Sequence, residues 1–193
     1  MPKLVDAAAQ RLEIRRAARL VFARRGATGT GLAHVADAVG MGRSSLYHYY
    51  PDKDALLRDL VRELLAEEER LFDAALDGHG SALARIDRLC AELTGVFDEW
   101  VSAGRLLSEL RTRWAGLFRP FFRRVRRRLA RLIAEGQRDG EIDRSLDPEL
   151  AAAVAIGAID GVLLQVLVDP RALTASGALR DTLVRALHKA LAP

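Results

Sequence analysis

Between Gly31 and Lys53 the chain reads GLAHVADAVGMGRSSLYHYYPDK, two short helical patterns parted by Gly40-Met41-Gly42. Val35, Ala36 and Val39 form one apolar stripe at helical spacing, and Leu46 and Tyr50 form a second. Gly40 can take the left-handed conformation that closes a helix, and the chain restarts within three residues. Helices so short, joined by so short a turn, predict a helix-turn-helix. The second helix then presents Arg43, Ser44, Ser45, Tyr47, His48 and Tyr49 in a row, with Lys53 just beyond Pro51. Those side chains suit phosphate oxygens and base edges.

The rest of the composition agrees with a helical chain. Ala, Leu and Arg dominate, β-branched and aromatic residues are few, and half of the 193 residues are hydrophobic, enough for a substantial core. The net charge is +4; residues 1–60 hold 10 Lys/Arg against 6 Asp/Glu, so the whole excess sits with the helix-turn-helix. A single cysteine, Cys90, rules out an internal disulfide and fits a reducing compartment. The first residues, MPKLVDAAAQRLEIRR, lack the apolar core of a signal peptide, so a cytoplasmic location is expected.

A first helix is predicted from about Asp6 to Arg25, with Ile14, Ala17, Ala18, Val21 and Phe22 facing inward and Gly26 ending it. Thr28 or Thr30 could cap the helix from about Leu32 to Val39, and Thr30-Gly31 is the better-placed pair. The second helix of the pair runs from about Arg43 to Tyr49.

Over residues 11–57 this pattern resembles the DNA-binding domain of the TetR family of bacterial repressors. The matching residues are Ala17-Ala18, Leu20, Phe22 and Gly26, then Thr30, Val35, Ala36 and Gly40, then Ser45-Leu46-Tyr47, Tyr49, Tyr50, Lys53 and Leu56-Leu57. Gly31, Gly42 and Ser44 depart from the family's usual Thr or Ser, Ser, and Gly. Glycine replaces a cap at a cost of a few tenths of a kcal/mol, so the fold survives and only hydroxyl contacts at positions 31 and 42 are lost.

The resemblance implies an all-α chain of about nine helices. Residues 1–51 form a three-helix DNA-binding domain, and residues 52–193 form a helical domain for effector binding and dimerisation. The DNA-contact set is Thr30, Gly31, Ala33, Gly42, Arg43, Ser44, Ser45, Tyr47, His48, Tyr49 and Lys53. Arg43 has the fork that matches guanine O6 and N7 and is the first candidate base reader, with a phosphate contact as its alternative. His48 is the second. Ser45, Tyr47, Tyr49 and Lys53 suit phosphate, and Tyr50 packs as core where the family has Phe.

Beyond Pro51, Asp52 caps a helix from about Lys53 to Ala75, with Glu63, Glu67, Glu68 and Glu69 on its solvated face. A helix from about Ser81 to Val101, a short segment from Arg105 to Ala115 and a helix from Phe118 to Glu135 follow, the last ended by Gly136. An effector pocket here would be walled by Phe97, Trp100, Leu110, Trp114, Phe118 and Phe121, with Arg105, Glu109 or Arg111 as polar anchors; the alternative is that these residues fill the core. Residues 119–131 hold seven Arg and no acid; the expected partner is the Glu-rich face of the helix from Lys53 to Ala75, with a second nucleic-acid patch, an anionic membrane or an anionic effector as the alternatives. Asp147-Pro148 opens a long apolar helix to Val168, and a last one runs from about Ser176 to Leu191. Gly157, Gly161, Leu164, Leu183 and Leu187 are expected at a four-helix homodimer interface. Asp160 and Gln165 inside the apolar run argue against a membrane span.

No enzyme signature appears. His34, His48, His79 and His188 have no metal-ligand spacing, and there is no P-loop, GxGxxG or GxSxG. No cofactor or metal is expected. The expected partners are double-stranded DNA with a palindromic operator, a small, largely hydrophobic effector and a second copy of the chain. The competing classes are an effector-independent or architectural DNA-binding protein and a membrane-surface protein using the Arg-rich helix.

Overall fold

In a computed structural model that describes residues 7–95, 114–169 and 177–193, every regular element is a helix. The described residues fall into two compact units, one through Leu64 and the other from Leu65 onward.

The first unit grows from three apolar stripes. Ile14, Ala18 and Phe22 are buried on α1 (Ala7–Arg25), Leu32, Val35 and Ala36 on α2 (Leu32–Val39), and Leu46 on α3 (Arg43–Tyr49). Leu56, Leu57, Leu60, Val61 and Leu64, from the first part of α4 (Lys53–Leu76), complete this core. Gly40 closes α2 with φ of 70°, the left-handed conformation that glycine tolerates best, and its N–H bonds to the Asp37 carbonyl at 3.2 Å. Asp52 Oδ1 accepts from the Ala55 N–H at 2.6 Å, which starts α4 where Pro51 has interrupted the chain.

The second unit holds the rest of α4, then α5 (Ala82–Gly95), α6 (Ala115–Asp139), α7 (Pro148–Val168) and α8 (Gly177–Leu191). α7 packs along α6, and α8 lies against both α5 and α7. Asp147 caps α7 by accepting from the Leu150 N–H at 3.0 Å, with Pro148 in the first turn as expected. The Arg85 guanidinium closes α4 by donating to the Leu76 carbonyl, and it also holds Glu135 of α6 at 2.9 Å.

α6 departs from expectation at both ends. It begins at Ala115, before Phe118, and it runs through Gly136 to a left-handed cap at Gly140. Gly136 is a point of close approach: a Cβ there would lie 2.7 Å from Ile142 Cδ1 and 2.8 Å from Ala82 Cβ. The expected segment from Arg105 and the end of the helix predicted to Val101 lie outside the described residues. Eight helices are described against the nine anticipated.

The Arg-rich face of α6 meets acids, as its charge pattern suggested. Arg124 donates to Glu69 at 2.9 Å, Arg128 pairs with Asp73 and with Asp77 at 2.6 Å, and Arg126 reaches Glu149 at 3.3 Å. These pairs are exposed, so each adds at most about 1 kcal/mol. They set which way α6 faces more than how stable it is.

Candidate nucleic-acid interface

α3 has one face in the core and the opposite face in solvent. Leu46 and Tyr50 anchor it, and between and before them Arg43, Ser44, Ser45, Tyr47 and His48 are exposed, with Tyr49 half-buried. The helical repeat dictates this split, because positions 46 and 50 are four apart and share a face. Gly31 and Gly42 are exposed at the N-caps of α2 and α3, where neither has a side chain to bond the first N–H groups. His34 compensates in part at α2: its Nδ1 accepts from the Gly31 N–H at 3.1 Å. Nothing in the spacing of the histidines had pointed to that role. Ala33 is half-buried on the first turn of α2.

Thr30 stands apart from the rest of the anticipated contact set. It is 1% exposed, and its hydroxyl donates to the Gly26 carbonyl at 2.8 Å. The side chain ties down the turn between α1 and α2 and is turned away from the surface that α3 presents. Lys53 is half-buried and its ammonium donates to the Ala27 carbonyl at 2.9 Å, leaving two further N–H donors on the same nitrogen. The cap of α2 is Gly31, one residue beyond Thr30.

Tyr50 carries more than its predicted place in the core. Its hydroxyl donates to Asp59 Oδ2 at 2.6 Å, and Arg15 reaches the same oxygen at 3.3 Å and Glu63 at 3.1 Å. Burial, then the bond to Asp59, push the Tyr50 phenol up to about 12. α1, the end of α3 and the start of α4 are thereby joined through one charged cluster.

In the second unit a void of about 10 Å³, room for one water, is walled by Phe72, Leu93, Phe121, Phe122, Val125, Ile156 and Ile159 with Glu68 and Asp160. Of the anticipated pocket residues, Phe121 lines it. Phe118 is buried on the same helix, Trp114 is the half-exposed N-cap of α6, and Phe97, Trp100, Arg105, Glu109, Leu110 and Arg111 lie outside the described residues. Glu68 was expected in solvent on α4. Instead it is half-buried by accessible surface, with its carboxyl packed about by protein, and burial followed by Asp160 pushes it up to about 8.

The exposed side of α7 is apolar and regular. Leu150, Val154, Gly157, Gly161, Leu164 and Val168 follow one another at spacings of four and three, and Leu150 and Val154 are each 68% exposed. A Cβ on Gly157 or Gly161 would meet nothing within 4 Å. Leu183 and Leu187, anticipated at the same interface, are buried within this chain, on the helix that packs on α5. Their stripe is already covered, so among the described residues the exposed apolar stripe is that of α7.

Residues 14–60 match the family described as bacterial regulatory proteins of the tetR family, and residues 105–192 match the C-terminal region of BetI-type transcriptional repressors. Together the two matches cover more than half of the chain. The chain belongs to the TetR family. As a TetR-family regulator it is a DNA-binding transcription factor and not an enzyme.

Solved structures agree on the fold. A TetR-family regulator from Agrobacterium tumefaciens superposes with a TM-score of 0.79 at 17% identity, covering 97% of this chain and 100% of that one. A TetR/AcrR-family regulator from Thermobifida fusca gives 0.73 at 24% identity over 93% and 97%. The regulator in a SmeT–triclosan complex gives 0.75 at 19% identity over 96% and 92%. No match was found among curated protein sequences.

Proposed function

We propose that this TetR-family chain is a cytoplasmic, homodimeric repressor that occupies a roughly palindromic operator and is released by a small, largely hydrophobic effector. Residues 1–51 bind DNA, and residues 52–193 take the effector and form the dimer. The observation that carries the reading is α3 itself: a helix pinned by Leu46 and Tyr50 that turns Arg43, Ser44, Ser45, Tyr47 and His48 outward together. Arg43, at the start of the helix, reads a base, and Ser45, Tyr47, Tyr49 and Lys53 hold phosphates.

The α7 stripe supports the dimer. Apolar positions alternating at four and three are the seam of paired helices, and Gly157 and Gly161 at its centre let backbones approach closely. A two-fold axis then sets the two copies of α3 at successive major grooves, roughly 34–36 Å apart. SmeT has been seen in complex with triclosan, a relative with a small apolar ligand. Here a ligand must part the walls of the void that Phe121 lines, and Phe72 and Glu68 place α4 among those walls. An effector acting on α4 shifts operator occupancy tenfold when it favours the non-binding state by about 1.4 kcal/mol.

Selection of bound fragments from a random double-stranded DNA pool tests the reading. An inverted repeat is the expected product. Enrichment with no shared sequence would identify an architectural DNA-binding protein instead.

A further inference from the structure

Seven arginines between residues 119 and 131 crowd the outer side of α6, and the structure divides them. Arg124 and Arg128 turn to acids of α4, and Arg126 turns to Glu149 in the first turn of α7. Arg119, Arg123, Arg127 and Arg131, each four residues after the last, are exposed, and among the described residues no acid pairs with any of them. Successive members lie about 6 Å apart along the axis. Like charges at that spacing weaken a helix. A face that needed only to be soluble could use Lys as well; the planar Arg fork adds two-point bonding to oxyanions.

The surface around this column is concave. An open trough of about 690 Å³ crosses α6, with Glu69 of α4 on one rim and Glu149 of α7 on the other. Within it Ala130 is buried and Ala134 half-buried, so the floor is low and apolar. Both rim carboxylates are engaged, Glu69 by Arg124 and Glu149 by Arg126. Arg127 and Arg131 are the charges left over inside.

We propose that this trough binds a compact phosphate-bearing small molecule, with a diphosphate group across the Arg127 and Arg131 forks and the remainder over Ala130 and Ala134. The proposal is independent of the effector-release reading, because the trough shares no lining residue with the void that Phe121 lines. Charge decides the ligand class. An exposed guanidinium is screened and gains little from a single anion, whereas a diphosphate engages both forks at once and relieves their repulsion. The rims decide the size. A duplex or a membrane broad enough to rest on both would also meet Glu69 and Glu149, while a compact anion between them meets the two free arginines.

Pyrophosphate is the probe, titrated by calorimetry into the intact chain at low ionic strength beside orthophosphate and succinate. Pyrophosphate is expected to bind at least about tenfold more tightly than either. Arg127→Gln with Arg131→Gln, both at exposed positions, is expected to lower that affinity at least about tenfold. Arg185→Gln with Lys189→Gln on α8 removes the same charge at the same spacing from residues that do not line the trough, and is expected to change it less than about twofold. Pyrophosphate is also expected to raise the melting temperature of the natural chain and not that of the Arg127→Gln, Arg131→Gln variant. An equal loss in the two double variants, or orthophosphate or succinate binding as tightly as pyrophosphate, would mean general attraction to a basic surface and overturns the proposal. Random-sequence duplex DNA and vesicles of anionic lipid are offered to the same proteins. A loss on either that matches the loss on pyrophosphate gives this face to a macromolecule and overturns the proposal as well.

Discussion

The Tyr50 hydroxyl donates to Asp59 Oδ2 at 2.6 Å, fastening the residue that ends α3 to the second turn of α4. Arg15 of α1 holds the same carboxylate and Glu63 beside it. Under the proposed effector-release function α4 would carry the effector's influence toward DNA, and a bond between α4 and the end of α3 would lie on that route. The aromatic ring at position 50 answers to the core, and the hydroxyl is an addition to it.

Tyr50→Phe keeps the ring and deletes the bond to a charged acceptor. It is expected to lower stability by about 1–2 kcal/mol, read as a lower urea midpoint at an unchanged slope. An unchanged midpoint would mean that the Asp59–Arg15 pair alone maintains the cluster.

Glu68 gives stability a particular pH dependence. Its folded value, raised from 4.5 to about 8, lets the folded chain keep a proton that the unfolded chain loses above about 4.5. This residue's contribution therefore falls as pH rises from about 4.5 to about 8 and levels off above that. Glu68→Gln removes the dependence, so the variant gains on the natural chain across that window. Parallel curves of melting temperature against pH would show that Glu68 is solvated.

Arg43 and Lys53 separate reading from holding. Arg43→Ala is expected to cost about 1–3 kcal/mol of operator binding and to relax the preference at one base pair per half-site. Lys53→Ala is expected to weaken all sequences alike and to lower the salt slope by about one per subunit. Because the Lys53 ammonium also donates to Ala27, the loss of stability is measured alongside. Equal loss on every sequence would make Arg43 a phosphate contact, and an unchanged slope would take Lys53 out of the interface.

Much of the first unit was legible in the sequence because its signals are local. Gly40, Pro51 and the stripes of Val35-Ala36 and Leu46-Tyr50 mark the ends and faces of α2 and α3 without reference to distant residues. What escaped needed a neighbour. Gly136 and Gly140 look alike as helix stops, and only the approach of Ala82 and Ile142 shows that the first is a packing position. Thr30 and Gly31 look alike as caps, until the Gly26 carbonyl takes the Thr30 hydroxyl. Glu68 lies in an acidic run that reads as solvated, and Asp160 and Phe121 reverse that reading from far along the chain. An apolar stripe also does not say what covers it, which is why Leu187 and Leu164 looked equivalent when one is buried by this chain and the other is half exposed.

Leu164 and Leu187 should then respond differently to charge. Leu164→Glu places a carboxylate in the α7 stripe and is expected to give a folded monomer by light scattering. Leu187→Glu places one in the chain's own core and is expected to cost about 3 kcal/mol or more of folding stability. A Leu164→Glu protein that remains a dimer would move the interface away from α7.

The central claim is that two copies of α3, held at a fixed separation by a dimer, read one operator. Affinity measured against spacer length tests it most directly, using the inverted repeat obtained by selection. Inserting about five base pairs between the half-sites turns them to opposite faces of the duplex, and inserting about ten restores the face at one further turn. Near-complete loss of binding at the half-turn insertion is predicted. Binding that is indifferent to the spacer would contradict the claim, because it would mean that each α3 finds its half-site alone.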